Sequence, residues 1–545
     1  MYQPDLEAVG GSLALSALCA TIPLLVLFIL LGVLRVTAWK ASLVSLVIAL
    51  VVAVAAFSMP VDQALLAGSQ GAVFGFFPIL WIVINAIWLY NMTVKTGHFD
   101  VLRRSFARVS DDQRIQAIIV AFCFGALLEA LAGFGTPVAI TSVMLIALGF
   151  APMKAAVVAL VANTAPVAFG ALAVPIITLG EVTGLPAEEL GAIVGRQTPI
   201  LALFVPLALV FIIDKGRGVR QVWPAAVVCG VVFAIAQFVT SNWFALPLTD
   251  IVAALAGALA VVLLLRVWQP SESYVEAPVH ATAGTGATSG AADEAPDRPD
   301  TPVEILRAYS PYLIIIAIFS IAQIPVIKDL LAKPTIEFQW PGLDLLTPAG
   351  DPSPLPTFSF AWLQSAGTLL VFAGLLTIPA IGISLKRALS AYGATYKQLA
   401  TAIATVMTVL ALAYVMNSSG QTASLGSWMA AAGSAFAVLS PILGWLGVAV
   451  TGSDTSSNSL FGGLQIVAAG QAGLSPELMA ASNSSGGVLG KMISPQNLAI
   501  AASAVGLAGR EGDIFRRVFG WSIAFLALMC LIVVGQATVL SWMLP

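Results

Sequence analysis

The chain has 545 residues, of which 59% are hydrophobic and only 9% are charged, and its formal net charge is −3. Its mean hydropathy is +0.97. An ordinary soluble domain carries roughly a quarter charged residues, so a soluble protein is excluded. Apolar runs of about 20 residues are long enough for a helix to cross a bilayer, whereas barrel strands would be short and alternating. We therefore predict an all-α polytopic membrane protein whose surroundings are the lipid bilayer, with no nucleic-acid partner.

Ten clear apolar spans and two interrupted apolar regions follow one another along the chain. The clear spans lie near 12–34, 41–59, 70–92, 191–213, 221–241, 248–268, 308–327, 357–379, 397–416 and 514–543. The interrupted regions, 112–181 and 427–509, contain repeated Gly, Pro, Ser and Asn residues. Counting these regions, we predict about 12 spanning helices plus two opposed re-entrant hairpins.

Lysine and arginine are concentrated in alternate loops, which predicts the orientation because cytoplasmic loops carry an excess of these residues. The basic loops contain Arg35 and Lys40, Lys95 to Arg108, Lys215 to Arg220, Arg266 to Arg307, Lys386 to Lys397, and Arg510 to Arg517. The opposite loops carry Asp5, Asp62, Asp250 and the Pro-rich segment 328–356. We therefore expect both termini outside and the basic loops in the cytoplasm.

Six segments make up the predicted organisation. They are N-terminal peripheral helices (1–69), a first repeat (70–213), connecting helices (214–268), a flexible cytoplasmic linker (269–303), connecting helices with an outer loop at 328–356 (304–396), and a second repeat (397–545). The linker is assigned from its small, polar, Pro- and Gly-rich composition.

The two halves contain matching motifs in the same order. The first has LYNMTVKTG, EALAGFGTPVAIT, GFAP and ANTAPVAFG; the second has YVMNSSGQT, VAVTGSDTSSNSLFG, GLSP and SNSSGGVLG. Within the last motif of each half, Asn163 precedes Gly170 and Asn483 precedes Gly490 by the same number of residues. With the orientation above, a hairpin at 112–150 would enter from the cytoplasm and one at 427–473 from outside. The repeats would then be inverted, as in many secondary transporters. Four full crossings between the cytoplasmic loops at 95–114 and 214–220 would also return the chain to the cytoplasm, as would the hairpin followed by two crossings.

The polar stretches AGFGTP and TGSDTSSNS would form the two hairpin tips, because irregular backbone at membrane depth is tolerated where it lines a polar cavity or is buried in protein. Thr136, and the run Asp454 to Ser456, are expected to cap the helices that follow. Breaks at Asn163 to Pro166 and at Asn483 to Gly487 would add two more half-helix ends. Four helix N-termini with free N–H groups favour an anion such as a carboxylate. The alternative is that these residues are kinks and packing glycines.

The candidate substrate-binding residues are those of the tips and breaks, together with a lysine that follows the second break. They are Gly133, Gly135, Thr136, Asn163, Thr164, Thr455, Ser456, Ser457, Asn458, Asn483, Ser484, Ser485 and Lys491.

Three charged residues are expected inside the membrane, where burial is costly and usually functional. Asp454 and Glu129 are the candidate proton-coupling residues, although a helix cap and a structural hydrogen-bonding partner are the alternative roles. Lys491 would hold the substrate carboxylate or pair with an acid such as Asp454. We find no histidine-based metal cluster, nucleotide-binding glycine loop or nucleophile–base pair. No cofactor, metal site or enzymatic activity is therefore expected.

Several long motifs resemble those of the bacterial L-lactate permease family. They are GALLEALAGFGTPVAI, VANTAPVAFGALAVPI, YVMNSSG, TGSDTSSNSLFGGLQ and ASNSSGGVLGKMISPQNLAIA. The similarity covers nearly the whole chain except 271–303 and 328–356. The resemblance implies proton-coupled uptake of lactate, and often glycolate, across the bacterial cytoplasmic membrane. It also implies a kinship with ion transporters that carry two opposed hairpins.

We therefore predict a secondary active transporter that imports L-lactate, and glycolate or related 2-hydroxymonocarboxylates, by proton symport. Sodium coupling is the alternative within the same class, because backbone carbonyls and Ser, Thr and Asn oxygens of the tips could hold the ion. A passive carboxylate channel or uniporter is the alternative from another class. The sequence does not fix the oligomeric state.

Overall fold

The computed structural model describes residues 1–133, 135–275, 300–348 and 350–545. Most of the predicted linker, residues 276–299, lies outside this part of the chain. The described part contains ten helices long and apolar enough to cross a membrane, or eleven if one bent pair is a single span. It also contains one two-stranded sheet. The prediction of an all-α polytopic membrane protein is confirmed.

In the described part of the first half, twelve α-helices are found, some joined by short π-helical or 3₁₀ segments. They are α1 (Leu13–Phe28), α2 (Ala38–Ala55), α3 (Val61–Phe74), α4 (Trp81–Lys95), α5 (His98–Ala107), α6 (Gln113–Gln116), α7 (Gly125–Ala132), α8 (Thr136–Ala147), α9 (Pro152–Ala162), α10 (Gly170–Thr183), α11 (Ala187–Trp243) and α12 (Thr249–Leu265). A π-helical segment, Ala117–Phe124, joins α6 to α7, so that 113–132 is one continuous rod. Helix α11 has 57 residues, but its helical geometry breaks at Asp214 and Lys215. The parts before and after the break pack against each other, since a methyl group at Gly230 would lie 2.8 Å from the Leu203 carbonyl.

Within residues 300–348 and 350–545, the second half contains ten α-helices and the small sheet. They are α13 (Pro302–Ala322), α14 (Pro325–Ala332), β1 (Ile336–Gln339), β2 (Thr357–Phe360), α15 (Ala366–Ala380), α16 (Leu385–Ser418), α17 (Gln421–Met429), α18 (Phe436–Thr451), α19 (Asp454–Ala472), α20 (Pro476–Gly490), α21 (Pro495–Ala504) and α22 (Glu511–Ala537). The predicted span 357–379 starts too early, because 357–360 pairs with β1 in an antiparallel hairpin of the predicted outer loop.

Two helix pairs fold back on themselves, one in each half. In the first, α7 packs against α8, and the Gln113 Nε2 atom donates to the Leu148 carbonyl over 3.1 Å, which holds the two open ends together. In the second, α18 packs against α19 around the turn at Gly452 and Ser453. These pairs coincide with the hairpins expected at 112–150 and 427–473. Their re-entrant depth and the inverted repeat remain predictions.

A broken helix follows each pair, but only the first break lies where the sequence predicts it. Between α9 and α10 the chain bends by 66° after Ala162, at the expected Asn163 to Pro166. The expected break at Asn483 to Gly487 is wrong, because α20 continues to Gly490 and the break falls at Lys491–Ser494. The small residues serve close packing instead: a methyl group at Gly486 or Gly490 would overlap backbone oxygens of α18.

The open end of the first pair is held by the guanidinium of Arg114, which is only 1% exposed. It donates to both carboxylate oxygens of Asp112, at 3.0 and 2.7 Å, and to Asp214 Oδ2 at 2.9 Å. It also donates to Gln221 Oε1 and to the Glu272 carbonyl. One cation therefore fastens α6 to the break in α11 and to the start of the predicted linker.

We predict that Arg114→Ala lowers the free energy of unfolding by about 3–5 kcal/mol, because it leaves the buried carboxylate of Asp112 and the partly buried one of Asp214 without a cation. The measurement is thermal unfolding of the purified protein in detergent. Arg103→Ala is the control, since the Arg103–Asp100 pair is exposed and such pairs contribute about 1 kcal/mol or less. Equal melting temperatures for the two variants would contradict this role of Arg114.

Candidate functional site

A cavity of about 1190 Å³ extends between the two folded helix pairs and the two broken helices. Its inner wall is formed by Glu129, Gly133, Thr136, Gly170, Ala171, Thr451 to Ser456 and Lys491. Its mouth is formed by Arg35 to Trp39, the 398–406 part of α16, and Gly509 to Phe515. Each of these segments includes or adjoins basic residues that the charge pattern assigns to the cytoplasm. The cavity therefore opens toward the basic side of the protein.

An ion pair crosses the inner wall of the cavity. Lys491, in the break between α20 and α21, places its Nζ atom 2.5 Å from Oε1 of Glu129 on α7. The second oxygen, Oε2, accepts a hydrogen bond of 2.9 Å from Asn163 Nδ2. Both charged residues are buried, with 3% of Glu129 and 6% of Lys491 exposed. Of the two acids considered from the sequence, Glu129 is therefore the one that binds the lysine.

Asp454 is the second acid on the cavity wall, and it is the first residue of α19. The Ser484 hydroxyl donates to its Oδ2 over 2.6 Å. The other oxygen, Oδ1, is buried and accepts no hydrogen bond within the described ranges. Asp454 and Lys491 line the same cavity, but of the two acids on its inner wall the lysine is bonded to Glu129.

The caps of the two tip helices differ from those expected. Helix α19 is capped by Ser453, whose Oγ accepts from the Ser456 backbone N–H at 3.2 Å, so Asp454 to Ser456 are inside the helix. Helix α8 is capped by Gly135, which has a left-handed φ of +82°, and Thr136 is its first residue. A side chain at Gly135 would be strained at that φ and would also overlap Ile500 of α21. Both helices nevertheless begin at the tips.

A chain of buried amides connects the second tip to the first broken helix. Asn458 donates from Nδ2 to the Pro175 carbonyl at 3.0 Å, and Asn483 donates to Asn458 Oδ1 at 2.8 Å. Gln465 donates in turn to Asn483 Oδ1 at 3.0 Å. Glu129 and Lys491 join the first pair to the second broken helix. Each helix pair is therefore joined to the broken helix of the other half.

The predicted site residues divide into a cavity wall and a buried layer behind it. Those on the wall are Gly133, Thr136, Thr455, Ser456 and Lys491, with the two acids Glu129 and Asp454. Those behind it are Gly135, Asn163, Thr164, Ser457, Asn458, Asn483, Ser484 and Ser485. Asn163 and Ser484 support the acids, whereas Ser457 and Thr164 bond to backbone carbonyls. The second group can position substrate-binding residues but does not contact the cavity.

Two features of the wall have no signal in the sequence. Ala171, Leu172 and Ala173 have φ angles of +46°, +57° and +63°, a left-handed turn that is costly for residues with a side chain. A glycine would have marked such a turn. The preceding Gly170 leaves room for the ion pair, since a methyl group there would lie 2.8 Å from Glu129 Oε1.

Apolar membrane-spanning helices around a cavity that has a buried ion pair on its wall are typical of a polytopic membrane transport protein. The chain belongs to the L-lactate permease family, whose model matches residues 16–540. This confirms the family resemblance and places the chain in the bacterial cytoplasmic membrane as a multi-pass protein.

Curated relatives match over essentially their whole length. The L-lactate permease of Bacillus subtilis (strain 168) is 41% identical, over 98% of this chain and 98% of its own. The glycolate permease of Escherichia coli (strain K12) is 41% identical, over 100% of this chain and 99% of its own. Among solved structures, the YdaH transporter of Alcanivorax borkumensis is similar over 85% of this chain and 86% of its own, with 15% identity and a TM-score of 0.42. A superposition this loose locates no residue.

Gly487 of α20 leaves the space that the unpaired oxygen of Asp454 occupies, because a methyl group there would overlap Asp454 Oδ1. We predict that Gly487→Ala lowers the rate of lactate uptake at least about tenfold, since overpacking costs roughly 1–3 kcal/mol and displaces the carboxyl group. The measurement is initial uptake per amount of purified, reconstituted protein.

The matched control is Gly470→Ala in α19, where no atom of the described residues lies within 4 Å of the added methyl group. This variant should transport normally. If both variants transport at the wild-type rate, the packing of Gly487 against Asp454 has no bearing on transport.

Proposed function

We propose that this permease imports L-lactate, and glycolate or related 2-hydroxymonocarboxylates, by proton symport. The observation that carries the proposal is the ion pair between Lys491 and Glu129 on the cavity wall. A lysine buried at the inner end of a cavity is suited to bind the carboxylate of a small acid. Here the carboxylate of Glu129 is bound to that lysine.

The substrate carboxylate would replace Glu129 as the partner of Lys491. The N-termini of α8 and α19 meet the same cavity, and the positive ends of their helix dipoles favour an anion. The hydroxyl groups of Thr136, Thr455 and Ser456 line the wall and can bond the 2-hydroxyl group of the substrate. The family membership and the L-lactate and glycolate permeases among the relatives support this class of substrate.

Proton coupling follows from competition for one lysine. As long as Glu129 is ionised, it holds Lys491, and a second carboxylate at that position would add an unpaired negative charge to a buried site. A proton on Glu129 removes its charge and releases Lys491 to the substrate. Anion and proton would then bind together.

The charge of the site supports the same coupling. We assign a second, resident proton to Asp454, because an ionised carboxylate with one oxygen unpaired is expensive to bury. The empty site is then neutral, with Lys491 paired to Glu129. The loaded site is neutral too, with Lys491 paired to the substrate and Glu129 protonated. Neutral empty and loaded sites can both pass an apolar barrier at low cost, as alternating access requires.

The cavity opens toward the predicted cytoplasmic side, which supports an inward-facing state. Its mouth includes or adjoins the basic residues Arg35, Lys397 and Arg510, which the charge pattern assigns to the cytoplasm. From this state lactate would leave to the cytoplasm, and Glu129 would lose its proton to the cavity and recapture Lys491.

The experiment is radiolabelled L-lactate uptake into proteoliposomes, with a proton gradient and a sodium gradient imposed separately. Accumulation driven by the proton gradient alone is the expected result. Accumulation that requires the sodium gradient would mean that the coupling ion is sodium and not a proton. Equilibration without accumulation under either gradient would favour a channel or uniporter.

Variants of the ion pair separate binding from coupling. Glu129→Gln should keep lactate exchange across the membrane but lose proton-driven accumulation, because Lys491 is then always free. Lys491→Gln should reduce both activities at least about tenfold, since it removes a charge-assisted bond to the substrate. Asp454→Asn imitates a protonated acid and should still accumulate lactate, at a reduced rate. Proton-driven accumulation by Glu129→Gln at the wild-type level would disprove the coupling role of Glu129.

A further inference from the structure

Asp250 is a buried acid that the sequence analysis placed in an outer loop. It instead lies in the first turn of α12, with only 1% of its surface exposed. Its Oδ1 atom accepts a hydrogen bond of 3.1 Å from Gln237 Nε2 of α11. Its Oδ2 atom is buried and has no hydrogen-bond partner in the part of the chain that the structure describes. A buried carboxyl group with one oxygen unpaired needs an explanation.

Polar contacts lead from Asp250 toward the ion pair. Gln237 Nε2 also lies 3.4 Å from the Ala165 carbonyl, in the break between α9 and α10. Two residues earlier in that break, Asn163 donates to Glu129. The Oδ1 atom of Asn163 is likewise buried and without a hydrogen bond among the described residues. The break between α9 and α10 therefore contacts Gln237, the partner of Asp250, through Ala165, and contacts Glu129 through Asn163.

Among the described residues, no Lys or Arg side chain is bonded to Asp250. Helix α12 packs against α7, α10, α11 and the π-helical segment before α7. Of the titratable groups on these described elements, Glu129 on α7 is the one whose charge acts on Asp250. Gln237 and Thr198, which is bonded to Gln237 at 3.4 Å, are neutral. An ionised Asp250 would therefore be repelled by Glu129 and stabilised by a single amide, whereas one proton removes that cost.

We propose that Asp250 is a second proton-carrying carboxyl group, which supplies Glu129 from the outer half of the membrane. The inference rests on the proton coupling proposed above. Asp250 follows the predicted outer end of α11 by only a few residues, whereas Glu129 faces the cavity on the predicted cytoplasmic side. The proton on Asp250 would move to Glu129 by way of intervening water, leaving Asp250 ionised and breaking the bond of Glu129 with Lys491, and a proton from outside would then neutralise Asp250 again. The proton and the substrate would thus reach the site by separate routes.

The test compares two activities of Asp250→Asn in proteoliposomes. Asparagine has the same shape and can still accept the bond from Gln237, so the fold should be kept. We expect lactate exchange within about twofold of wild type, because exchange needs no net proton movement, and at least about a tenfold loss of proton-driven accumulation. Asp62→Asn is the control, since Asp62 is also in the first turn of a helix but is exposed; it should retain both activities.

Each result decides one claim. If wild-type protein shows no proton-driven accumulation, the proposed coupling fails, whatever Asp250 does. If the wild type accumulates lactate and Asp250→Asn does so equally, or loses exchange as well, Asp250 does not carry the proton. Should Asp250→Asn not fold, Asp250→Glu replaces it: accumulation should persist with a shifted pH dependence of its rate, and an unchanged pH dependence would overturn the inference.

Discussion

The ion pair between Glu129 and Lys491 is the interaction around which the rest of the site is arranged. It joins α7 in the first half of the chain to the broken helix of the second half, across the inner wall of the cavity. A buried pair is costly to form but far costlier to break on one side only, so each partner requires the other or a substitute of the same charge. A small carboxylate can be that substitute for Glu129, provided that a proton neutralises the acid it displaces.

The surrounding residues make this exchange of partners feasible. Asn163 holds the second oxygen of Glu129, and Gly170 leaves room beside it. The amides of Asn458, Asn483 and Gln465 fix the second helix pair to the first broken helix without adding charge. The polar groups of the two breaks are thus divided between the wall, where charge can change partners, and a neutral layer that maintains its geometry.

The fold class and the family could be predicted from the sequence, because they depend on composition and on long motifs. The helix breaks could be predicted only in part. Asn163 to Pro166 contains a proline, which cannot continue a helix, whereas Asn483 to Gly487 contains Ser and Gly, which either end a helix or let another helix approach closely. The second role is the actual one, against α18. Local sequence patterns could not predict the partner of Lys491, because Glu129 is 362 residues away along the chain. Asp250 was misplaced because it lies next to a helix end, where an exposed acid is common.

The central claim, that a proton on Glu129 must accompany the substrate, is tested most directly by counting protons on binding. Isothermal titration calorimetry of L-lactate binding to the purified protein, in buffers of different ionisation enthalpy, gives the number of protons taken up per lactate bound. We predict about one proton for the wild-type protein and essentially none for Glu129→Gln, as linkage requires when binding neutralises that carboxylate. Lactate binding to the wild type without proton uptake, or with the same uptake in both proteins, would contradict the account.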